Sequence, residues 1–113
     1  MKESNADQLV RWNGIVRALN ERGFKRPRSR QLVWQKLAPL MEGAGDLKHF
    51  VGEGEDGPRN IGNYMPAAAL ERWVRYIRFR EERVEAGEWG VRRPYSIEEM
   101  WEVERMHRES GGA

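Results

Sequence analysis

The chain has 113 residues, of which 39% are hydrophobic, and a formal net charge of +2 at pH 7. This length and apolar content suffice for one packed domain, and the absence of cysteine excludes disulfides and thiolate zinc sites. No apolar run approaches the roughly 20 residues that cross a bilayer, and residues 1–7 lack the apolar stretch of a signal peptide. We therefore expect a protein of the cytoplasm, or of the nucleus in a eukaryote, that does not engage membranes.

The charges are distributed unevenly along the chain. Residues 1–41 carry nine Lys or Arg against three Asp or Glu, residues 42–66 carry two against five, and residues 67–113 carry nine against ten. Sixteen of the twenty basic residues are arginine, which pairs bidentately with phosphate or carboxylate and stacks on flat rings. The basic first third favours an anionic partner, although a GC-rich genome also produces an arginine-rich composition.

The first third predicts two helices joined by a basic connector, residues 22–30. Apolar residues recur at helical spacing over residues 6–22, with Asn5 or Asp7 as the N-cap and Gly23 as the stop. Ser29 caps a second helix that runs through about residue 38. Its inward residues are predicted to be Val33, Trp34 and Leu37. Because Pro39 has no amide proton, we expect this helix to end or kink there.

The remaining segments predict a loop followed by two helices. Residues 42–66 contain six glycines and two prolines and indicate a loop, with a helical turn or short strand over residues 47–51. A third helix over residues 67–86 has the clearest periodicity, and Ser96 begins a capping box for a fourth. The predicted fold is all-α: a single domain of about four helices over residues 1–109 with a Gly-rich central loop, followed by a disordered tail over residues 110–113.

The connector is the first candidate binding site. Its five basic residues can reach phosphates or enter a minor groove, and free amides at the start of the second helix would add donors for an anion. A helix dipole disfavours cations at this end, so Arg28 and Arg30 there favour an anionic ligand. The alternative is a solvated basic loop. The candidate contact residues of the connector and of the helix after it are Arg22, Lys25, Arg26, Arg28, Arg30 and Lys36.

The third helix predicts a second candidate surface. Its core stripe contains Leu70, Trp73, Val74, Ile77 and Val84. A second face alternates arginines with two aromatic rings, as required for base stacking and phosphate binding. The alternative is that the rings pack against another helix or a second subunit, under the arginine stems. The candidate contact residues of this face are Arg72, Arg75, Tyr76, Phe79 and Arg83.

Arg92 and Arg93 form a third basic turn, which either extends this surface or neutralises the glutamates of the fourth helix. Candidates for chemistry are few. Acidic residues surround His49 without a metal-ligand spacing, and no motif combines a nucleophile with its base. We therefore expect neither metal nor cofactor, and no enzymatic activity.

The sequence predicts a small non-enzymatic protein that binds DNA or RNA mainly through phosphate contacts. The alternative is an inhibitor, adaptor or assembly subunit that uses Arg, Trp and Tyr side chains on an acidic protein partner. Five tryptophans favour this alternative, because four helices can hardly bury all of them. A homodimer is compatible with either prediction, because a chain this short without disulfides must be held by packing alone or with a partner.

Overall fold

The computed structural model describes residues 8–54 and 57–111. It describes their side chains as well, except those of residues 50–61. Its described elements are four α-helices, a π-helical turn and a three-stranded antiparallel sheet. The all-α prediction is therefore wrong, because the fold is mixed α/β. In chain order the elements are β1 (Leu9–Arg11), α1 (Trp12–Ala18), the π-helical turn (Leu19–Gly23), α2 (Arg30–Gly43), β2 (Lys48–Gly54), β3 (Gly57–Pro66), α3 (Ala67–Glu85) and α4 (Ile97–Glu109).

The sheet replaces most of the predicted central loop. Its strand order is β1-β3-β2, so β3 pairs on both sides. The β2–β3 ladder shifts register between Phe50 and Val51, next to Gly62, whose φ of +142° favours glycine. Of the two alternatives predicted for residues 47–51, the strand is the one observed, within a longer strand. Pairing gives the backbone of this Gly-rich segment hydrogen-bond partners that a loop would lack.

The predicted first helix is shorter than its apolar periodicity suggests. Residues 9–11 are extended and pair with β3 in the register Leu9 to Pro66 and Arg11 to Tyr64. The predicted caps Asn5 and Asp7 lie outside the described residues. After α1 the chain widens into the π-helical turn, which places Gly23 against α3. A Cβ atom on Gly23 would lie 3.0 Å from Cγ2 of Ile77, closer than an ordinary van der Waals contact, so a larger residue here would have to displace Ile77.

The helix α2 begins as predicted and ends later. The Ser29 hydroxyl accepts a hydrogen bond from the Leu32 amide at 3.1 Å, which confirms the N-cap. We expected the helix to end or kink at Pro39. A helix end at Pro39 is wrong, since the helix continues to Gly43. Proline removes one donor from the ladder, whereas the last turn brings Met41 into the core with no exposed area.

The predicted starting points of α3 and α4 are confirmed. Pro66 directly precedes α3, and the Ser96 hydroxyl accepts from the Glu99 amide at 3.3 Å at the start of α4. The second half of the predicted capping box is wrong, because the Ser96 amide donates to the Tyr76 hydroxyl at 2.9 Å. Ser110 and Gly111 follow α4 in a turn, and residues 112 and 113 lie outside the described part. The helices and β3 enclose one core, whose fully buried large side chains are Ile15, Leu19, Val33, Leu37, Met41, Met65, Trp73, Val74, Tyr76, Ile77 and Met100.

Candidate functional site

The connector is anchored along α3. The Arg22 guanidinium donates two hydrogen bonds to the Glu71 carboxylate, at 2.5 and 2.6 Å, and the Arg78 guanidinium donates to the Arg22 carbonyl. Further along, the Lys25 amide donates to Glu81 at 2.8 Å. The hydrogen bond with Arg22 holds the pKa of Glu71 below its ordinary value. Arg22 is therefore an anchor of the connector, with little freedom to contact a ligand.

Two predicted arginines of α3 are also paired within the protein. Arg72 donates to Asp46 at 2.7 Å, and the same carboxylate accepts from the indole of Trp73 at 2.8 Å. Arg75 donates two hydrogen bonds to Glu104, at 2.7 and 2.8 Å. These bonds lower the pKa of Glu104 below its ordinary value and raise that of Arg75 above it. Both arginines hold α3 to neighbouring segments.

Of the two alternatives predicted for Tyr76, the open binding face is wrong and packing against another helix is the one observed. Its ring has 0% exposure, and its hydroxyl donates to Glu99 at 2.8 Å and accepts from the Ser96 amide. Burial raises the pKa of the Tyr76 hydroxyl. Its helical neighbour Arg80 is buried as well and donates to the carbonyls of Arg93 and Pro94. The start of α4 and the loop before it cover this side of α3, a neighbour that the periodicity of α3 alone does not reveal.

Phe79 and Arg83 form a packed cluster with the loop after α3. The Phe79 ring meets Trp89 at 5.7 Å between centroids, and the Arg83 guanidinium lies 4.3 Å from the Phe79 centroid. On the other side, Arg93 lies 4.0 Å from the Trp89 centroid and pairs with Glu99 at 2.6 Å. This is the alternative in which arginine stems cover the rings.

Five other basic residues of the predicted site have no carboxylate partner within the described residues. They are Arg26, Arg28, Arg30, Lys36 and Arg92. Arg28 is half-buried, lies 5.3 Å from the Phe24 centroid and has its backbone fixed by Asn20. The other four side chains are exposed. They come from the connector, from α2 and from the loop before α4.

The structure brings most of these residues together in one cleft between α2 and loop 91–95, which we name the α2 cleft. Its volume is about 650 Å³, and its lining consists of Arg28, Leu32, Gln35, Lys36, Pro39, Leu40, Arg80, Val91, Arg92, Arg93, Pro94 and Tyr95. A neighbouring cleft of about 450 Å³ shares Arg28 and Tyr95 with it and adds Lys25 and Arg26, beside Glu81 and Glu85. Arg30 lies outside both clefts.

A second site, on another side of α2, is one that the sequence prediction missed. The expected inward position of Trp34 is wrong, because its side chain is 44% exposed. It borders a cavity of about 680 Å³, which we name the Trp34 cavity and which is lined by Arg11, Trp12, Asn13, Arg30, Gln31, Trp34, Gly62 and Asn63. The sequence contained one signal for this exposure: Trp34 lies at the edge of the apolar stripe of α2, on the same side as Arg30 and Gln31.

Other candidate sites have little support. Among the residues whose side chains are described, 8–49 and 62–111, no cluster of His, Asp and Glu has an arrangement that could hold a metal ion. His49 instead bonds the Asn63 side chain at 2.9 Å, while Glu55 and Asp56 lie outside the described residues. No helix in the described part of the chain is long and apolar enough to cross a membrane. Comparison with known proteins finds no matching family model, curated protein or solved structure.

Proposed function

We propose that this protein is a non-enzymatic nucleic-acid-binding protein that holds the phosphate backbone in the α2 cleft. The observation that carries the proposal is the charge of the cleft lining. Among the twelve described residues that form it, five are Lys or Arg and none is Asp or Glu. A concave surface of a single sign concentrates the electrostatic potential and attracts an anion of the opposite sign.

The five basic residues of the cleft lining fall into two groups with different roles. Arg80 and Arg93 are engaged with Glu99 and with loop carbonyls, so they fix the shape of loop 91–95. Arg28, Lys36 and Arg92 have no carboxylate partner among the described residues and are left for phosphate contacts, although the Arg28 guanidinium also donates to the Arg26 carbonyl at 3.2 Å. Because an unpaired cation keeps its full charge for a ligand, these three would supply most of the binding free energy.

A linear polyanion fits this arrangement better than a small anion does. The three contact residues lie on three separate segments around the cleft, and Arg26 continues the basic lining into the neighbouring cleft. A single phosphate reaches only one or two such side chains. A nucleic acid presents a phosphate at every nucleotide and can meet all of them.

The test is fluorescence anisotropy with labelled duplex and single-stranded oligonucleotides across a salt series. Three phosphate contacts predict a slope of log affinity against log salt of about −2.7 for duplex and about −2.1 for single strands. The double variant Lys36→Glu with Arg92→Glu should weaken binding about tenfold or more. A matched control is Arg17→Glu with Arg108→Glu, which makes the same change in net charge at exposed positions outside the clefts. Equal losses in the two variants would mean that overall charge, with no defined site, governs binding.

An acidic protein partner is the second candidate function. Two aliphatic side chains of the cleft lining are exposed, Leu32 at 36% and Val91 at 77%, and exposed apolar area among cations is typical of protein interfaces. If the wild-type protein fails to bind either oligonucleotide at about 50 mM salt, the nucleic-acid proposal is wrong. The acidic partner then becomes the leading candidate.

A further inference from the structure

The Trp34 cavity combines an aromatic ring with cations and carboxamides. Within the described chain its lining contains Arg11 and Arg30 and no acidic residue. Asn13, Gln31 and Asn63 add side-chain amides, which carry both donors and acceptors. The His49 ring holds the Asn63 side chain in place at 2.9 Å. This set of groups matches a ligand that has a flat polar ring and a negative charge.

The Trp34 ring is exposed and yet held in position. It packs edge to face against Trp12, with ring centroids 5.0 Å apart and an interplanar angle of 89°. Trp12 itself is buried, so it provides a fixed support for the exposed ring. An immobilised aromatic surface in contact with solvent loses little conformational freedom when a base stacks on it.

We infer that the Trp34 cavity takes a nucleobase of a single-stranded nucleic acid whose phosphates lie in the α2 cleft, an inference that rests on the proposed function. Arg28 lines the cleft and Arg30 lines the cavity, and only Ser29 separates them at the start of α2. A strand that crosses this end of the helix therefore meets cations on both sides. Bases in a duplex are already stacked on one another, so only an unpaired base can enter the cavity.

The experiment compares two tryptophan variants in binding to an oligo-dT strand of about 12 nucleotides and to a duplex of the same length. Trp34→Ala should weaken binding to the strand about 5- to 150-fold, the range for loss of one stacked base. Its duplex affinity and salt slope should stay unchanged. The matched control is Trp101→Ala, because Trp101 is 42% exposed and also lies beside an arginine, 5.1 Å from Arg72, but borders neither the cleft nor the cavity.

A second variant guards against a folding defect in Trp34→Ala. Asn13→Asp with Gln31→Glu places two carboxylates at the cavity and removes no packed ring. Both positions are exposed and lie in the first turns of α1 and α2, where an acidic side chain is compatible with the helix dipole. We expect this variant to keep its melting temperature and to lose strand affinity, with a smaller loss for duplex.

The outcomes separate the two proposals. Failure of the wild-type protein to bind either oligonucleotide overturns the proposed function and this inference with it. If the wild type binds but Trp34→Ala and Trp101→Ala behave alike, the cleft proposal stands and the base site is wrong. Calorimetry with thymidine 5′-monophosphate provides the last arm. Binding of this mononucleotide as tight as that of the strand would identify a free nucleotide as the ligand and overturn the assignment to a strand.

Discussion

The helix α3 and the α2 cleft both present basic residues, but Arg72 and Arg75 of α3 differ in their surroundings from Lys36 and Arg92 of the cleft. Arg72 and Arg75 each reach a carboxylate that lies 26 or 29 residues away in sequence. Lys36 and Arg92 have no such partner among the described residues. The first group joins elements of the fold, and the second group keeps its charge for solvent or a ligand.

This difference shows what a basic pattern can and cannot indicate. The alternation of arginine and aromatic residues on α3 looks like a binding surface, yet Asp46, Glu99 and Glu104 engage that helix from other segments. The sequence spacing of the arginines contains no information about these partners. The availability of a cation is decided by the carboxylates that the tertiary structure places within reach.

The largest expected effect lies in the core beneath the paired arginines. Trp73→Ala should lower the free energy of unfolding by about 3–5 kcal/mol, because it removes a fully buried indole. It also takes away a hydrogen-bond donor of Asp46. Urea unfolding followed by circular dichroism measures this change. A midpoint equal to that of the wild type would show that α3 does not depend on this face.

Breaking the ion pair between Arg75 and Glu104 should give the second largest loss of stability. Arg75→Met leaves the buried Glu104 carboxylate without its partner, and we expect a loss of about 2–3 kcal/mol, since Arg75 is itself partly exposed. Glu104→Met in the same chain should recover most of that loss. A double-mutant cycle without coupling between the two positions would place Arg75 among the free cations instead.

The paired glutamates predict a smaller, pH-dependent effect. In the folded protein the pKa values of Glu71 and Glu104 lie below the ordinary 4.5, so near this pH the unfolded chain binds protons that the folded chain does not. The contribution of these two glutamates to the free energy of unfolding should therefore be fully present above about pH 6. It should decrease as the pH falls through 4.5 toward the pKa values of the folded protein. Urea titrations from neutral to acidic pH measure the slope. Glu104→Gln should make it shallower, and an unchanged slope would contradict the assignment.

The smallest effect on stability is expected at the cleft. Lys36→Glu with Arg92→Glu should change the free energy of unfolding by less than about 0.5 kcal/mol, because both side chains are exposed and unpaired. The same variant is the one expected to lose nucleic-acid binding. Thermal unfolding checks the first part, and a large destabilisation would show that these residues support the fold.

Local signals in the sequence predicted what local physics determines. Ser29 and Ser96 satisfy free amides within three residues of themselves, so their caps could be recognised without tertiary information. The start of α3 after Pro66 was predicted from another local signal, because proline has a fixed φ and no amide proton to satisfy. The apolar stripe of α3 also places Trp73 and Ile77 correctly in the core.

The parts that were predicted wrongly depend on distant segments. Residues 9–11 have helical periodicity but become a strand because β3, more than 50 residues later, offers them a partner. Tyr76 is buried because α4 and the loop before it widen the covered side of α3. Trp34 is exposed at the edge of the core, where it meets the buried Trp12 ring edge to face. Neither the pairing of residues 9–11 nor the burial of Tyr76 leaves a signal in the periodicity of a single element.

The anchoring of the connector to α3 affects the thermodynamics of any binding event on that surface. Hydrogen bonds from Arg78 and to Glu81, together with the ion pair of Arg22, hold residues 22–25 before a ligand arrives. Segments that fold upon binding show a large negative heat-capacity change and an unfavourable entropy of ordering. A segment that is already fixed shows neither to that degree. On the protein side, recognition would therefore need no folding of residues 22–25, and the entropy of ordering would come mainly from the ligand.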